Sequence, residues 1–314
     1  MLKRCAALLL ALILFLSIGL AAGEGYDQVF DPAKDEGQFV IRFLWLGEKT
    51  AKDKPGDCMI LKSPDGKVMV LDAGHPDAVS YVTEALDTLD ITRIDYLVAS
   101  HPHIDHIGGF PVLIENYEIG AMYTSPLTYG ASSYYHAYLT AAQEKRLEHI
   151  ILHEGDTFMF GNEIEVKVFN PPEEIPYPKD YGTGSTQFIN DHSLAMKFTY
   201  GTRSLMLAGD LYVGGERAVV DRWGDELSSD FMKANHHGSN TSSSSAWRKT
   251  VGPKITFITS ETIEDLSLTR KFTRNGQQMY HTLLDGCVRL AIDEAGNYEV
   301  TTEKVRTSTM FDSN

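Results

Sequence analysis

The stretch His101-Pro-His103-Ile-Asp105-His106-Ile-Gly108-Gly109 constrains this chain more than any other. An apolar run from Ile94 to Ser100 precedes it and predicts a buried strand. Three imidazoles and a carboxylate therefore crowd into six residues where a strand gives way to a loop. Imidazole nitrogen and carboxylate oxygen are the ligands that a borderline cation such as Zn2+ accepts. His101 and His103 can reach one ion from the same side, while Asp105 and His106 turn toward a second. Gly108 and Gly109 carry no Cβ, so the backbone is expected to pass close to the metals and start the next helix. A solvated histidine-rich loop without metal is the alternative, and this density of ligands stands against it.

Three more segments follow in order: Asn190-Asp-His192-Ser193-Leu, Leu207-Ala-Gly209-Asp210 and Asn235-His236-His237-Gly238-Ser239. With HxHxDH after a strand, they resemble the signature of metallo-β-lactamase-fold hydrolases. The flavour is that of the hydrolase domain of ComEC-type competence proteins, and the resemblance extends to teichoic-acid phosphorylcholine esterases. It covers about residues 38–303. It implies an α/β fold in four αββα layers and a dinuclear site for two Zn2+, with Mn2+ as a substitute. His101, His103 and His192 would hold the first ion. An ordinary loop residue is the alternative for His192. Asp105, His106 and one histidine of the His236-His237 pair would hold the second. Asp210, at a strand end, would bridge ions roughly 3.5–4 Å apart.

The same resemblance assigns roles around the metals. Asp105 would also orient a bridging hydroxide as the nucleophile. His236 is taken as the ligand and His237 as the general acid, although sequence leaves the pair interchangeable. Asp72 is expected to hold an imidazole tautomer in place, a plain turn residue being the alternative. Ser239 and Asn240 are candidate donors to a phosphate oxygen. One departure stands out. Relatives carry Gly-His-Pro after the strand matching 254–259, whereas Ser260 to Arg270 contains no histidine. His281 comes later without those flanking residues, which weakens the transfer of nuclease activity.

The chain opens with Lys3 and Arg4, an apolar run from Ala6 to Leu20, and Ala21-Ala22-Gly23. This pattern predicts a signal peptide over 1–23, and the run is short for a retained anchor. The mature protein is therefore expected outside the cell, in the envelope or in the periplasm, touching membrane only through its leader. Without Lys3 and Arg4, 26 basic side chains face 43 acidic ones, a formal charge of −17. Such a field disfavours a nucleic-acid partner without excluding phosphoester hydrolysis. Cys58 and Cys287 remain after processing. Unpaired buried thiols are favoured over a disulfide. Oligomeric state is not legible.

Beyond the leader, 24–37 reads as a linker, 38–303 as the hydrolase domain and 304–314 as a tail. Phe39–Leu46 predicts a strand, and Cys58–Ser63 with Lys67–Asp72 a hairpin across Pro64-Asp65-Gly66. His75 is read as a surface side chain. Apolar periodicity predicts a helix from Asp77 to Asp90, and further strands alternate with helices to a closing hairpin at 287–302. Thr241–Ser245 reads as a mobile turn. Tyr129, Tyr134, Tyr135, Tyr138, Tyr177 and Tyr181 either pack their loops or offer rings to a sugar, a base or a quaternary ammonium group. The expected function is an exported two-metal hydrolase of a small or surface-attached phosphoester. Hydrolysis of a lactone, thioester or β-lactam is the first alternative, and a non-catalytic surface binding module the second.

Overall fold

The structure, a computed structural model, describes residues 25–48, 54–176, 179 and 182–306. The leader, Tyr177, Tyr181 and the tail beyond Arg306 lie outside the described residues. One sheet contains β1 (Phe39–Phe43), β2 (Met59–Lys62), β3 (Val68–Leu71), β4 (Arg93–Ala99), β5 (Glu118–Thr124), β6 (Glu148–Ile151), β14 (Val288–Ile292) and β15 (Tyr298–Thr302). Its order is β15-β14-β1-β2-β3-β4-β5-β6. The other contains β7 (Thr157–Phe160), β8 (Ile164–Asn170), β9 (Ala195–Tyr200), β10 (Arg203–Leu207), β11 (Phe231–Lys233), β12 (Ile255–Ile258) and β13 (Gln278–His281). Its order is β13-β12-β11-β10-β9-β8-β7.

Alternation along the strands decides how the sheets stack. Phe39, Ile41 and Phe43 project from β1 into a core shared with Phe160, Phe198 and Phe257 of the second sheet. Phe43 stacks on Phe257 with ring centroids 4.2 Å apart. On the other face of the first sheet, Ile60, Val70 and Leu97 pack against Val82, Leu86 and Phe110 from the helices Val79–Thr88 and Phe110–Asn116. The second sheet likewise sets Met206 and Met232 against Val219 and Trp247 from the helices Val213–Trp223 and Ser245–Val251. Helix, sheet, sheet, helix is the αββα sandwich expected.

Both sheets contain a parallel block, β3 to β6 in one and β10 to β13 in the other. Parallel strands need crossover helices, so all their C-terminal loops emerge at the same edge. Those loops are where an α/β fold collects a site.

Residues 25–37 are not the linker expected from their polar composition. Val29 and Phe30 are buried in the first core, and Asp35 is buried too. Asp35 Oδ1 accepts from Arg42 Nη2 at 2.8 Å and from Arg289 Nε at 3.2 Å. One carboxylate thus neutralises two buried guanidinium groups from β1 and β14. Asp35→Ala is expected to destabilise the protein by about 3–5 kcal/mol, because both cations stay buried without it. Thermal unfolding followed by circular dichroism should show a melting temperature lower by on the order of 10 °C. A shift of only a degree or two would mean that the segment does not belong to the domain. The expected tail is also tied down at its start, where Arg306 reaches both carboxylate oxygens of Asp285.

Elsewhere local signals misled. The serine run read as mobile caps a helix: Ser244 Oγ accepts from Trp247 N at 3.2 Å, and Trp247 is fully buried. His75 is buried, and its Nδ1 accepts from Asp77 N at 3.2 Å. The close approaches at Gly108 and Gly109 are to protein, since added Cβ atoms would stand 2.3 Å from Pro76 Cδ and 2.4 Å from Ala73 O. Cys58 and Cys287 are free and buried. They immediately precede β2 and β14, which flank β1 on opposite sides, so two strand spacings, about 9–10 Å, separate them. That exceeds the span of a disulfide.

Candidate metal centre

Strand ends supply nearly every polar side chain at this edge. Asp72 follows β3, Ser100 and His101 follow β4, Asp210 lies beyond β10, and His236 and His237 lie beyond β11. HxHxDH changes conformation midway: His103 is extended (φ −74°, ψ 151°) and caps the single helical turn Ile104–Ile107. The bend at Ser100–Pro102 brings His101 and His103 together, and the turn then swings Asp105 and His106 toward the second sheet. His236 (φ 49°, ψ 51°) and His237 (φ 56°, ψ 22°) are both left-handed. Two such residues in succession are strained, and strain of this kind concentrates at functional sites.

The cluster converges on Asp210. Its Oδ2 lies 3.2 Å from His106 Nε2, 3.4 Å from His237 Nε2, 3.7 Å from His236 Nε2 and 3.9 Å from His101 Nε2. His101 Nε2 and His103 Nδ1 are 2.9 Å apart on one side. On the other, Asp105 Oδ2 stands 3.5 Å from His237 Nε2 and 3.9 Å from His106 Nε2. A cavity of about 400 Å³ opens over this floor, lined in part by His103, Asp105, Asn190, Asp210, His236 and Tyr129.

Behind the cluster, a second set of groups holds the rings. Asp72 Oδ2 takes His106 Nδ1 at 2.8 Å, while its Oδ1 accepts from Ser100 N at 2.8 Å. Asp72 therefore stands against an imidazole as expected, leaving His106 Nε2 to face inward. Asp57, which carried no sequence signal, does the same for His237: its Oδ1 lies 3.0 Å from Nδ1. Thr259 Oγ1 donates to the same carboxylate, and Lys233 Nζ sits 2.5 Å from Asp57 Oδ2. Buried Glu216 braces the strained loop, accepting from Asn235 Nδ2 and Ser244 N at 2.8 Å each.

The donor set fits a cation. His106 Nε2, His237 Nε2 and Asp210 Oδ1 are buried without a hydrogen-bond partner. Orphaned atoms of that kind cost about 1–3 kcal/mol each unless something coordinates them. One ligand atom each from Asp57, His106, Asp210 and His237 can be drawn within 4.8 Å of one another. Asp57 is already bound to Lys233, so we assign it to positioning His237. Electrostatics agree. Burial lowers the pKa of His106, yet Asp210, Asp72 and Asp105 outweigh it and hold the ring well above its usual value. Burial likewise lowers His237, and Asp210 and Asp57 reverse that. Burial raises Asp210, but His237, His106 and His236 pull it well below the carboxylate range. These carboxylates call for positive charge, which protons supply where metal does not. His101 is pushed down by burial and then by His106 and His103, so it presents a neutral ring.

Residues 51–258 match the family model described as the metallo-beta-lactamase superfamily. The chain belongs to that superfamily. Among its relatives, competence protein ComA of Neisseria gonorrhoeae is 24% identical over 220 residues, covering 68% of this chain and 28% of its own. ComE operon protein 3 of Bacillus subtilis is 25% identical over 168 residues, covering 54% of this chain and 20% of its own. This metallo-beta-lactamase chain thus aligns with under a third of either relative's length. A mutant of the CmlA β-hydroxylase of Streptomyces venezuelae shares the fold with a TM-score of 0.51 and 15% identity, over 81% of this chain and 54% of that one. No helix among the described residues is long and apolar enough to cross a membrane.

In this superfamily member, His101, His103, Asp105, His106, Asp210 and the His236-His237 pair do come together. His192 does not join them. It ends the short helix Thr186–Asp191, its Nδ1 lies 2.7 Å from Phe188 O, and its ring rests on Phe188 with centroids 4.5 Å apart. The helical turn brings Asn190 to the cavity instead. The two histidines of the pair are placed differently. His237 is buried between Asp105 and Asp210, as a ligand would be, whereas His236 lines the open cavity. Ser239 is buried and Asn240 exposed, and neither lines the cavity. Tyr135 and Tyr138 pack the core, while Tyr129 and Tyr134 border the cavity. His281 is buried and caps the turn Thr282–Asp285, its Nδ1 accepting from Leu283 N.

Proposed function

We propose that this protein is an exported two-metal phosphoesterase acting on a small or surface-attached phosphodiester. The observation that carries the reading is the shared position of Asp210 Oδ2 between two ligand groups. His101 and His103 stand on one side, and Asp105, His106 and His237 on the other. Those residues would hold two divalent ions, zinc or manganese, and such ions activate water and polarise an ester oxygen. The chain's own groups do the rest. Asp72 and Asp57 keep His106 and His237 turned inward. Burial holds His236 at a pKa of about 4, although Asp210 opposes it. His236 is thus neutral near pH 7. Nδ1 pairs with Thr241 Oγ1, and in the tautomer that carries its proton on Nε2 the ring would donate to an oxygen of the substrate.

The charge of −17 and the small cavity support a small ester over long DNA. The competence names of the relatives support DNA as the second reading. The apolar run and small residues of 1–23 support export. Bis-p-nitrophenyl phosphate, p-nitrophenyl phosphorylcholine and single-stranded DNA assayed in parallel decide the substrate. Rapid DNA degradation with little action on the small esters would overturn it. The histidine roles have their own test. His237→Ala is expected to lose bound metal, whereas His236→Ala keeps it and turns over about 10²–10⁴-fold more slowly. Elemental analysis showing the opposite pattern of metal loss would restore the order expected from sequence.

A further inference from the structure

The segment Lys54-Pro55-Gly56-Asp57 runs against the metal loop. Asp57 N donates to Asp105 O at 3.1 Å, and a Cβ on Gly56 would stand 1.7 Å from that oxygen. Lys54 is therefore delivered to the rim of the cluster. Its Nζ meets Glu264 Oε1 at 2.7 Å, and its side chain keeps 25% of its surface exposed. Glu264 follows β12 and carries its carboxylate beside Ser239 of the histidine loop. The ammonium lies near enough to Asp210, His236 and Tyr212 for its charge to act on all three. Lys233, the other ammonium beside the cluster, is bound to Asp57 behind it.

A lysine ammonium has three donors, and Glu264 accepts from this one without occupying them all. Tethering removes part of the rotamer entropy that a free lysine loses on binding. We propose that Lys54, held by Glu264, binds the anionic oxygen of the substrate that faces away from the metal cluster, and so selects anionic over neutral esters. This rests on the hydrolase reading above. The departure after β12, where Ser260 to Arg270 contains no histidine, then has a consequence, because that segment provides the carboxylate that positions Lys54.

The metal-loaded wild type, Lys54→Ala and Lys54→Arg are compared on bis-p-nitrophenyl phosphate and on neutral p-nitrophenyl acetate. Lys54→Ala is expected to raise KM for the anionic ester about tenfold, the worth of one charge-assisted hydrogen bond. The kcat for that ester and both constants for the acetate should stay within about twofold, and Lys54→Arg should restore most of the loss. An unchanged KM for the anionic ester, or an equal loss on both esters, overturns the proposal. Inorganic phosphate titrated calorimetrically into the same metal-loaded proteins gives an independent readout. A wild type that cleaves neither ester defeats the hydrolase reading. Lys54 is then judged by phosphate alone: binding about tenfold weaker in Lys54→Ala upholds its role, and equal binding ends it.

Discussion

Asp210→Ala is expected to remove metal and turnover together. Its Oδ2 lies within 4 Å of four imidazoles, His101 and His106 from the metal loop and His236 and His237 from the histidine loop. Truncation therefore takes a ligand from both groups at once, and the two sheets lose their common anion. Turnover of bis-p-nitrophenyl phosphate should fall by at least about a thousandfold, equivalent to roughly 4 kcal/mol of barrier. Elemental analysis of the reconstituted variant should show fewer than two ions per chain. Asp210→Asn, which keeps the shape, separates lost charge from lost packing. Activity within tenfold of wild type at full metal content would sink the mechanism.

Stripping the metals is expected to make stability strongly dependent on pH. In the metal-free chain, burial lowers His106 and His237, but the surrounding carboxylates hold both folded pKa values above their unfolded ones. Their stabilising contribution is fully present below an unfolded pKa of about 6.5 and is lost as pH rises through the folded values. Asp210 is depressed by His237, His106 and His236 against the effect of burial. Its contribution is present above an unfolded pKa of about 3.9 and is lost as pH falls through the folded value. Chelated protein should therefore be most stable between about pH 4 and 6.5 and weaken on the alkaline side. Metal displaces the imidazole protons, so its affinity should rise with pH and the alkaline decline should vanish on reconstitution. Thermal melts from about pH 5 to 9, with and without chelator, test this. A metal-free melting temperature that stays level to pH 9 would contradict the charge assignment.

Much of this architecture is legible because its determinants are local. HxHxDH needs only a strand end and one helical turn to aim its ligands, and both are within nine residues of sequence. The hairpin around Pro64-Asp65-Gly66 and the alternating or continuous apolar strands are local in the same sense. Family resemblance added the identity of the sandwich and the place of Asp210, neither of which spacing supplies.

The tertiary structure decided what depends on contacts between distant segments. Asp57 reaches His237 across 180 residues of chain, and no pattern around Asp57 marks it. Asp35 reads as linker until Arg42 and Arg289 are folded around it. The left-handed backbone at His236 and His237 sends one ring inward and the other into the cavity, a choice that two identical side chains cannot encode by themselves. At the helix Thr186–Asp191, one turn of backbone faces Asn190 to the cavity and lays His192 on Phe188. Sequence alone supplied the candidate ligands, His192 among them, and set most of them just beyond strand ends. The packing of two sheets determined which of them meet, because a ligand's direction is set by the backbone beneath it and by the buried partner behind it.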